Sequence, residues 1–167
     1  LIDCCVHGEQ SRTLKLARRY LDTLEDVQVN HQKLYELDLA PLSYEETVER
    51  KRTDIAKTFA QADEIVVAAP YWDLSFPSIL KVYLEHVCVT GITFHYVGYE
   101  TQGLCKAKKA VYISTAGGFV GAHHLGEEYI QTVFQAMFSI PEFHTIRCEG
   151  LDLPDADPEA LVAEAAL

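Results

Sequence analysis

The sequence predicts a three-layer α/β sandwich: a five-stranded parallel sheet of order 2-1-3-4-5 with helices on both faces. Three observations predict it. Short apolar runs alternate from end to end with segments of helical periodicity. Two of those runs, residues 64–69 (EIVVAA) beyond its leading Glu64 and 110–114 (AVYIS), are continuously apolar or small, as strands covered on both faces are. Five strands in 167 residues also suit a short open sheet better than a longer dinucleotide fold.

In order, residues 1–6 (LIDCCV) read as the first strand, with Asp3 out of character for a buried one. Residues 7–10 form a loop, and a helix over 11–25 follows from the spacing of Leu14, Leu16, Ala17, Tyr20, Leu21 and Leu24. Residues 31–37 are a second, more polar strand suited to a sheet edge. Ser43-Tyr44-Glu45-Glu46 fits the S-x-x-E capping box and opens a helix over residues 43–62. The third strand, 64–69, stops at Pro70. A helix over 76–87 starts at Phe76-Pro77, where the missing proline N–H costs nothing. Residues 90–102 are an extended, aromatic-rich connection. The fourth strand, 110–114, ends at Thr115-Ala116-Gly117-Gly118, and a helix covers 125–138. Residues 142–148 are the last strand, and Asp157-Pro158-Glu159 caps a terminal helix. Right-handed crossovers between parallel strands place these helices on both faces.

The length fits a single domain over residues 1–167. The chain opens inside a strand without methionine, so a few upstream residues are expected. With 14 Lys+Arg against 25 Asp+Glu, the net charge of −11 argues against a general nucleic-acid or anionic-membrane binder. No apolar run is long enough to span a bilayer. Cys4, Cys5, Cys88, Cys105 and Cys148 match no zinc or iron–sulfur spacing, so no metal is expected. An odd set of scattered thiols without a secretion signal points to the cytoplasm. His123-His124 reads as a polar helix entry, since adjacent side chains diverge.

Open α/β sheets bind ligands beyond the carboxyl ends of their strands, where strand order reverses. Three loops fall there: residues 5–13, 70–75 and 114–118. In the first, Ser11, Arg12 and Thr13 open a helix whose free N–H groups favour an anion, although Ser11 also suits a plain cap. In the second, Tyr71 and Trp72 can wall a flat ring or simply pack on the next helix, and Asp73 can accept from a ring N–H or serve as a turn residue. In the third, Gly117-Gly118 permits positive φ and close backbone approach, or a plain tight turn. A phosphate end, an aromatic wall and a backbone-lined edge at this switch point suggest FMN. A Cys5–His7 dyad for nucleophilic catalysis lacks a third orienting group.

The chain resembles the flavodoxin-like NAD(P)H-dependent oxidoreductases, which include FMN-dependent NADH-azoreductases and NAD(P)H:quinone oxidoreductases. The resemblance is most specific over residues 69–96 (APYWDLSFPSILKVYLEHVCVTGITFHY), then Gly103-Leu104, Lys108-Lys109-Ala110 and the Gly-Gly loop. Pro77, Leu80, Lys81, Tyr83, Leu84, Glu85, Val87, Gly91, Thr93, Phe94 and Tyr96 fall on the family spacing. It implies a flavodoxin-like fold and FMN, with FAD the less favoured alternative in so short a chain. Ser11, Arg12 and Thr13 would surround the phosphate, with Cys5 where many relatives carry serine or histidine. Pro70, Tyr71, Trp72, Asp73 and Leu74 would follow the isoalloxazine edge. Ser114, Thr115, Ala116, Gly117 and Gly118 would touch its ribityl and pyrimidine side. Asp73 replaces an asparagine of the azoreductases, and a carboxylate there would lower the flavin potential. Phe94 and Tyr96 would line the substrate site and a homodimer contact.

The implied activity is hydride transfer from NADH or NADPH to the flavin and then to a quinone, azo or nitroaromatic acceptor by ping-pong exchange. No side-chain acid or base is expected, since the cofactor carries the chemistry. The alternative is a flavin-binding electron carrier or redox sensor without nicotinamide turnover, for which an acidic surface would suit a basic partner.

Overall fold

The computed structural model describes residues 1–49 and 53–167. Strands β1 (Ile2–Asp3), β2 (Gln32–Lys33), β3 (Glu64–Ala68), β6 (Lys109–Thr115) and β7 (Glu142–Cys148) form one parallel sheet in the order β2-β1-β3-β6-β7. Two further strands, β4 (Phe94–Val97) and β5 (Glu100–Gly103), pair only with each other. With that pair set aside, the order is the expected 2-1-3-4-5.

Along β3 and β6 the side chains alternate between two cores, because successive residues of a strand point to opposite faces. Ile65, Val67, Ala110 and Tyr112 join Phe59, Leu80, Tyr83, Leu84, Phe134 and Phe138 from helices α3 (Asp54–Gln61), α4 (Ser78–Val87) and α5 (Leu125–Ala136) and the turn after it. Val66, Ala68, Val111 and Ile113 join Leu14, Leu16, Ala17 and Val162 from α1 (Arg12–Leu21) and α6 (Pro158–Glu164). In the first core the Phe59 ring meets Phe134 edge-on at 5.7 Å and Phe138 at 4.9 Å, spacings at which aromatic pairs attract beyond simple burial.

Four expectations are corrected. The first strand pairs only at Ile2–Asp3, because beyond it the Cys5 N–H turns to the Asp3 carboxylate instead of the ladder. The second is equally short, and its expected continuation is a helical turn over Leu34–Glu36. The helix expected over 43–62 is helical at α2 (Tyr44–Glu49) and α3, while residues 50–52 of that expectation lie outside the described residues. Its capping box is present, with Ser43 Oγ accepting from Glu46 N and Glu46 Oε2 from Ser43 N. The connection over 90–102 is a hairpin, in which Gly98 at φ +63 takes the first turn position that type II′ turns reserve for glycine.

That hairpin presses on the end of α5. Gly103 N donates to Ser139 Oγ, Thr101 Oγ1 donates to Ala136 O, and a Cβ on Gly103 would lie 2.0 Å from the Phe138 carbonyl carbon. Backbone cannot yield as a side-chain tip can. Gly103→Ala should therefore lower the unfolding free energy by about 1–3 kcal/mol, read as a lower urea midpoint. Gly118→Ala, with open space around its Cβ position, is the control that should leave the midpoint nearly unchanged.

Candidate ligand-binding site

The carboxyl ends of β1, β3 and β6 deliver the three loops to one end of the sheet, at the point where strand order reverses. The first loop leaves β1 under tight local control. Cys5 N donates to Asp3 Oδ1 at 2.8 Å, and His31 Nε2 lies 2.9 Å from Asp3 Oδ2, so the buried carboxylate is fully engaged. That accounts for an acidic residue in a buried strand: a charge tolerates burial when paired and hydrogen-bonded. Gly8 N then bonds Cys5 O and Ser11 N bonds Gly8 O, bringing Ser11 to the N-cap of α1, where its Oγ accepts from Leu14 N. The amides of Arg12 and Thr13, in the first turn, have no carbonyl one turn earlier in the helix to bond. With the positive end of the helix dipole they form an anion-favouring corner.

The second loop continues the β3–β6 ladder before departing from it. Ala69 N bonds Ile113 O and Tyr71 N bonds Thr115 O, both at 3.0 Å, while Tyr71 OH donates to His123 O. A two-residue turn then follows, closed by reciprocal backbone bonds between Trp72 and Ser75. Its central residues, Asp73 at φ +49 and Leu74 at φ +65, are both left-handed. Turns of that kind normally recruit Asn-Gly or Asp-Gly, and a leucine there is strained. Leu74 is nonetheless 51% exposed, beside Trp72 at 39%. An apolar wall is thus held at the mouth of a buried strand by backbone that local preference would not choose.

The third loop is laced to the chain that follows β7. Ala116 N bonds Cys148 O, Leu151 N bonds Ala116 O, Asp152 N bonds Gly117 O and Gly150 N bonds Gly118 O. Neither Gly117 nor Gly118 has positive φ. Gly117 needs its missing Cβ for another reason: that atom would fall 2.2 Å from Asp152 Oδ2. Gly118 opens onto free space.

The remaining side chains divide by burial. Thr13 and Thr115 are buried, and their hydroxyls pair at 2.7 Å. Arg12 pairs with Asp152 at 2.6 Å across an exposed edge, where such a pair contributes at most about 1 kcal/mol. The Cys5 thiol faces inward to Ala68 O, and burial pushes it up to about 12, the opposite of an activated nucleophile. Ser114 is buried and Pro70 half-buried. Phe94 is buried under the hairpin, whereas Tyr96, stacked edge-on to it at 5.5 Å, is 60% exposed. Asp152, Glu149 (which accepts Val120 N) and His31 shape the loops, yet no local motif marked them. A small cleft is lined by Tyr71, Tyr112, Ser114 and Thr115 together with Arg147 and Glu127, which pair at 2.5 Å.

The arrangement offers donors for an anion at one end, an exposed apolar wall in the middle and an unobstructed backbone edge at Gly118. Those features suit a phosphorylated ligand with a flat ring.

The FMN-dependent NADH:quinone oxidoreductase 2 of Clostridium acetobutylicum is 44% identical over 112 residues, covering 64% of this chain and 56% of the relative. The corresponding protein of Lachnoclostridium phytofermentans is 43% identical over 108 residues, covering 64% and 54%. In these two alignments the chain spans about half the length of the relative. An FMN-dependent NADH:quinone oxidoreductase of Clostridium perfringens is 35% identical over 172 residues, covering 93% of this chain and 86% of its own. Among solved structures, an FMN-dependent NADH-azoreductase from Bacillus anthracis in complex with FMN superposes with a TM-score of 0.75 at 18% identity, covering 92% and 85% of the two chains. An NAD(P)H:quinone oxidoreductase from Methanothermobacter marburgensis gives 0.68 at 16% identity, covering 93% and 89%. At such identities the likeness speaks for the fold. The profile described as "Flavodoxin-like fold" matches residues 1–167, so the strand order, the switch-point loops and the sequence all lead to one conclusion: the chain belongs to the flavodoxin-like fold family.

Proposed function

We propose that this chain is an FMN-dependent NAD(P)H oxidoreductase whose acceptors are quinones, azo compounds or nitroaromatics. The observation that carries the reading is the convergence of the three loops on Thr115, in a chain 35% identical over 172 residues to an FMN-dependent NADH:quinone oxidoreductase. When bound, FMN supplies the hydride chemistry, taking reducing equivalents from the nicotinamide and passing them to the acceptor in ping-pong exchange at one site.

The protein's part is to hold and to orient. Ser11, Arg12 and Thr13, with the first-turn amides of α1, bind the phosphate. Pro70, Tyr71, Trp72, Asp73 and Leu74 take the ring edge, and residues 114–118 take the ribityl and pyrimidine side. Gly118 admits backbone approach where a Cβ would occupy open space. The carboxylate of Asp73, at the turn tip, disfavours added negative charge on the ring and biases the bound cofactor to a lower potential.

Leu74 and Phe119 are exposed on the loops of this crevice, and Tyr96, Val97 and Tyr99 are exposed on the hairpin that packs on the end of α5. Exposed apolar surface on the crevice loops and on the hairpin supports a homodimer in which one protomer's hairpin roofs the acceptor site of the other. The two cores support a three-layer sandwich, and no described helix is long and apolar enough to cross a membrane. We place the protein in the cytoplasm.

Two measurements test this reading. Purified protein supplied with FMN should retain it through gel filtration, bleach with NADH under anaerobic conditions, and recolour on addition of a small quinone. A retained flavin that neither NADH nor NADPH reduces would identify an electron carrier instead, and no retention would refute the site. Leu74→Gly relieves the left-handed strain, so it should raise stability by about 0.5–1 kcal/mol while weakening FMN binding severalfold. A gain in stability with unchanged affinity would remove Leu74 from the ring wall.

A further inference from the structure

A cavity of about 820 Å³ lies beside Leu1 and Ile2, at the amino ends of the strands and opposite the ligand crevice. Gln28, Val29 and Asn30, which lead into β2, line one side, and Asp63, Glu64 and Ile65, at the start of β3, line the other. The two sides are in register. Ile2 stands opposite Gln32 on β2 and Val67 on β3, so the first position before Leu1 falls between Asn30 and Ile65. The second falls between Val29 and Glu64, and the third between Gln28 and Asp63. Because β2 and β3 are the two neighbours of β1, the cavity is a slot one strand wide. Its edge on β3 is unpaired. Ala68 O accepts Cys4 N on the β1 side and Ala69 N donates to Ile113 O on the β6 side, so successive residues of β3 bond to opposite neighbours. Val66 N therefore points into the slot, with no acceptor among the described residues. Val66 is 4% exposed, and a buried amide without a partner is rare. At the head of the slot the Leu1 ammonium donates to Asn30 O at 2.8 Å, and burial lowers its pKa from the ordinary value.

We infer that the slot holds one more stretch of this polypeptide, about three residues immediately upstream of Leu1, which continues β1 between β2 and β3. In that place the residue before Leu1 donates to Glu64 O and accepts Val66 N, and the Leu1 ammonium becomes a neutral amide on Asn30 O. A strand from another chain would set its own terminal charge against that ammonium, whereas a peptide bond removes both charges. Alternation puts the residue before Leu1 on the face of Ile2, toward Phe59, Ile65 and Tyr83. The one before it falls on the face of Leu1, toward Leu21 and Leu24. Both are therefore apolar, while the third, between Gln28 and Asp63, is polar. The gain reaches the first loop. The paired part of β1 is two residues long, yet it carries Asp3, which holds the Cys5 amide, and upstream pairing fixes that short strand from behind. Neither side of the slot belongs to the ligand crevice, so this holds independently of the FMN reading.

The test compares three chains: residues 1–167 alone, residues 1–167 preceded by Thr-Val-Val, and residues 1–167 preceded by Gly-Gly-Pro, whose proline lacks the N–H that Glu64 O requires. Thr-Val-Val should raise the urea midpoint by about 1 M over the other two chains. It should also slow hydrogen exchange at Val66 N by at least about tenfold. If residues 1–167 alone do not fold, the two extended chains carry the comparison, and only the Thr-Val-Val chain should fold. Equal midpoints and equal Val66 exchange in the two extended chains would overturn the inference. Val66 N already protected in residues 1–167 alone would overturn it too, and protection that grows with protein concentration would identify a second copy as the occupant. Finally, the protein isolated from its own cells should exceed residues 1–167 in intact mass by about three residues or more. An equal mass would assign the slot to another chain.

Discussion

Thr115, the last residue of β6, carries more of the site than any other residue. Its carbonyl receives the Tyr71 amide, which anchors the second loop, and its hydroxyl meets Thr13 at the head of the first helix. The next residue bonds onward to Cys148 and Leu151. Three loops that are remote in sequence therefore share one fixed point at the end of a central strand. Because β6 is paired on both sides, by β3 and β7, that point is as rigid as the sheet. Ligand positioning then depends on the scaffold rather than on the loops' own preferences.

Around this anchor the local chemistry is in tension. Asp73 and Leu74 hold left-handed backbone without a glycine, and Leu74 leaves apolar surface in water. Asp152 occupies the space of the missing Gly117 side chain and ties up Arg12, the cation nearest the helix start. Each would be a poor choice for stability alone. Each makes sense where a bound ring covers the turn and an anion competes for the guanidinium. The acidic balance of the chain is not in conflict with an anion corner here, since that corner is built from backbone amides and a single arginine.

Sequence legibility followed the range of the interactions. The strands over 64–69, 110–114 and 142–148 were readable to within a residue at their ends, because burial on both faces writes itself into a run of apolar positions and burial on one face into an alternation. The first strand was overread since Cys4 and Cys5 are as buried as strand residues, although after Cys4 N bonds Ala68 O the Cys5 amide leaves the ladder for the Asp3 carboxylate. The hairpin over 94–103 was hidden, as one glycine before a tyrosine is a weak turn signal. The three loops were legible as a group from strand order alone. What tied them was not: Thr13 and Thr115 are 102 positions apart, and Arg12 and Asp152 are 140. The strain at Asp73-Leu74 left no mark at all, because it departs from the turn signature that sequence reading relies on.

The central claim is that one ligand bridges all three loops. Amide shift mapping on isotope-labelled protein during an FMN titration tests it most directly. The account predicts that the amides of Arg12 and Thr13, the Trp72 indole, and the amides of Leu74 and Gly118 move together with a single affinity. Shifts confined to one loop, or centred on the amino ends of the strands, would contradict it.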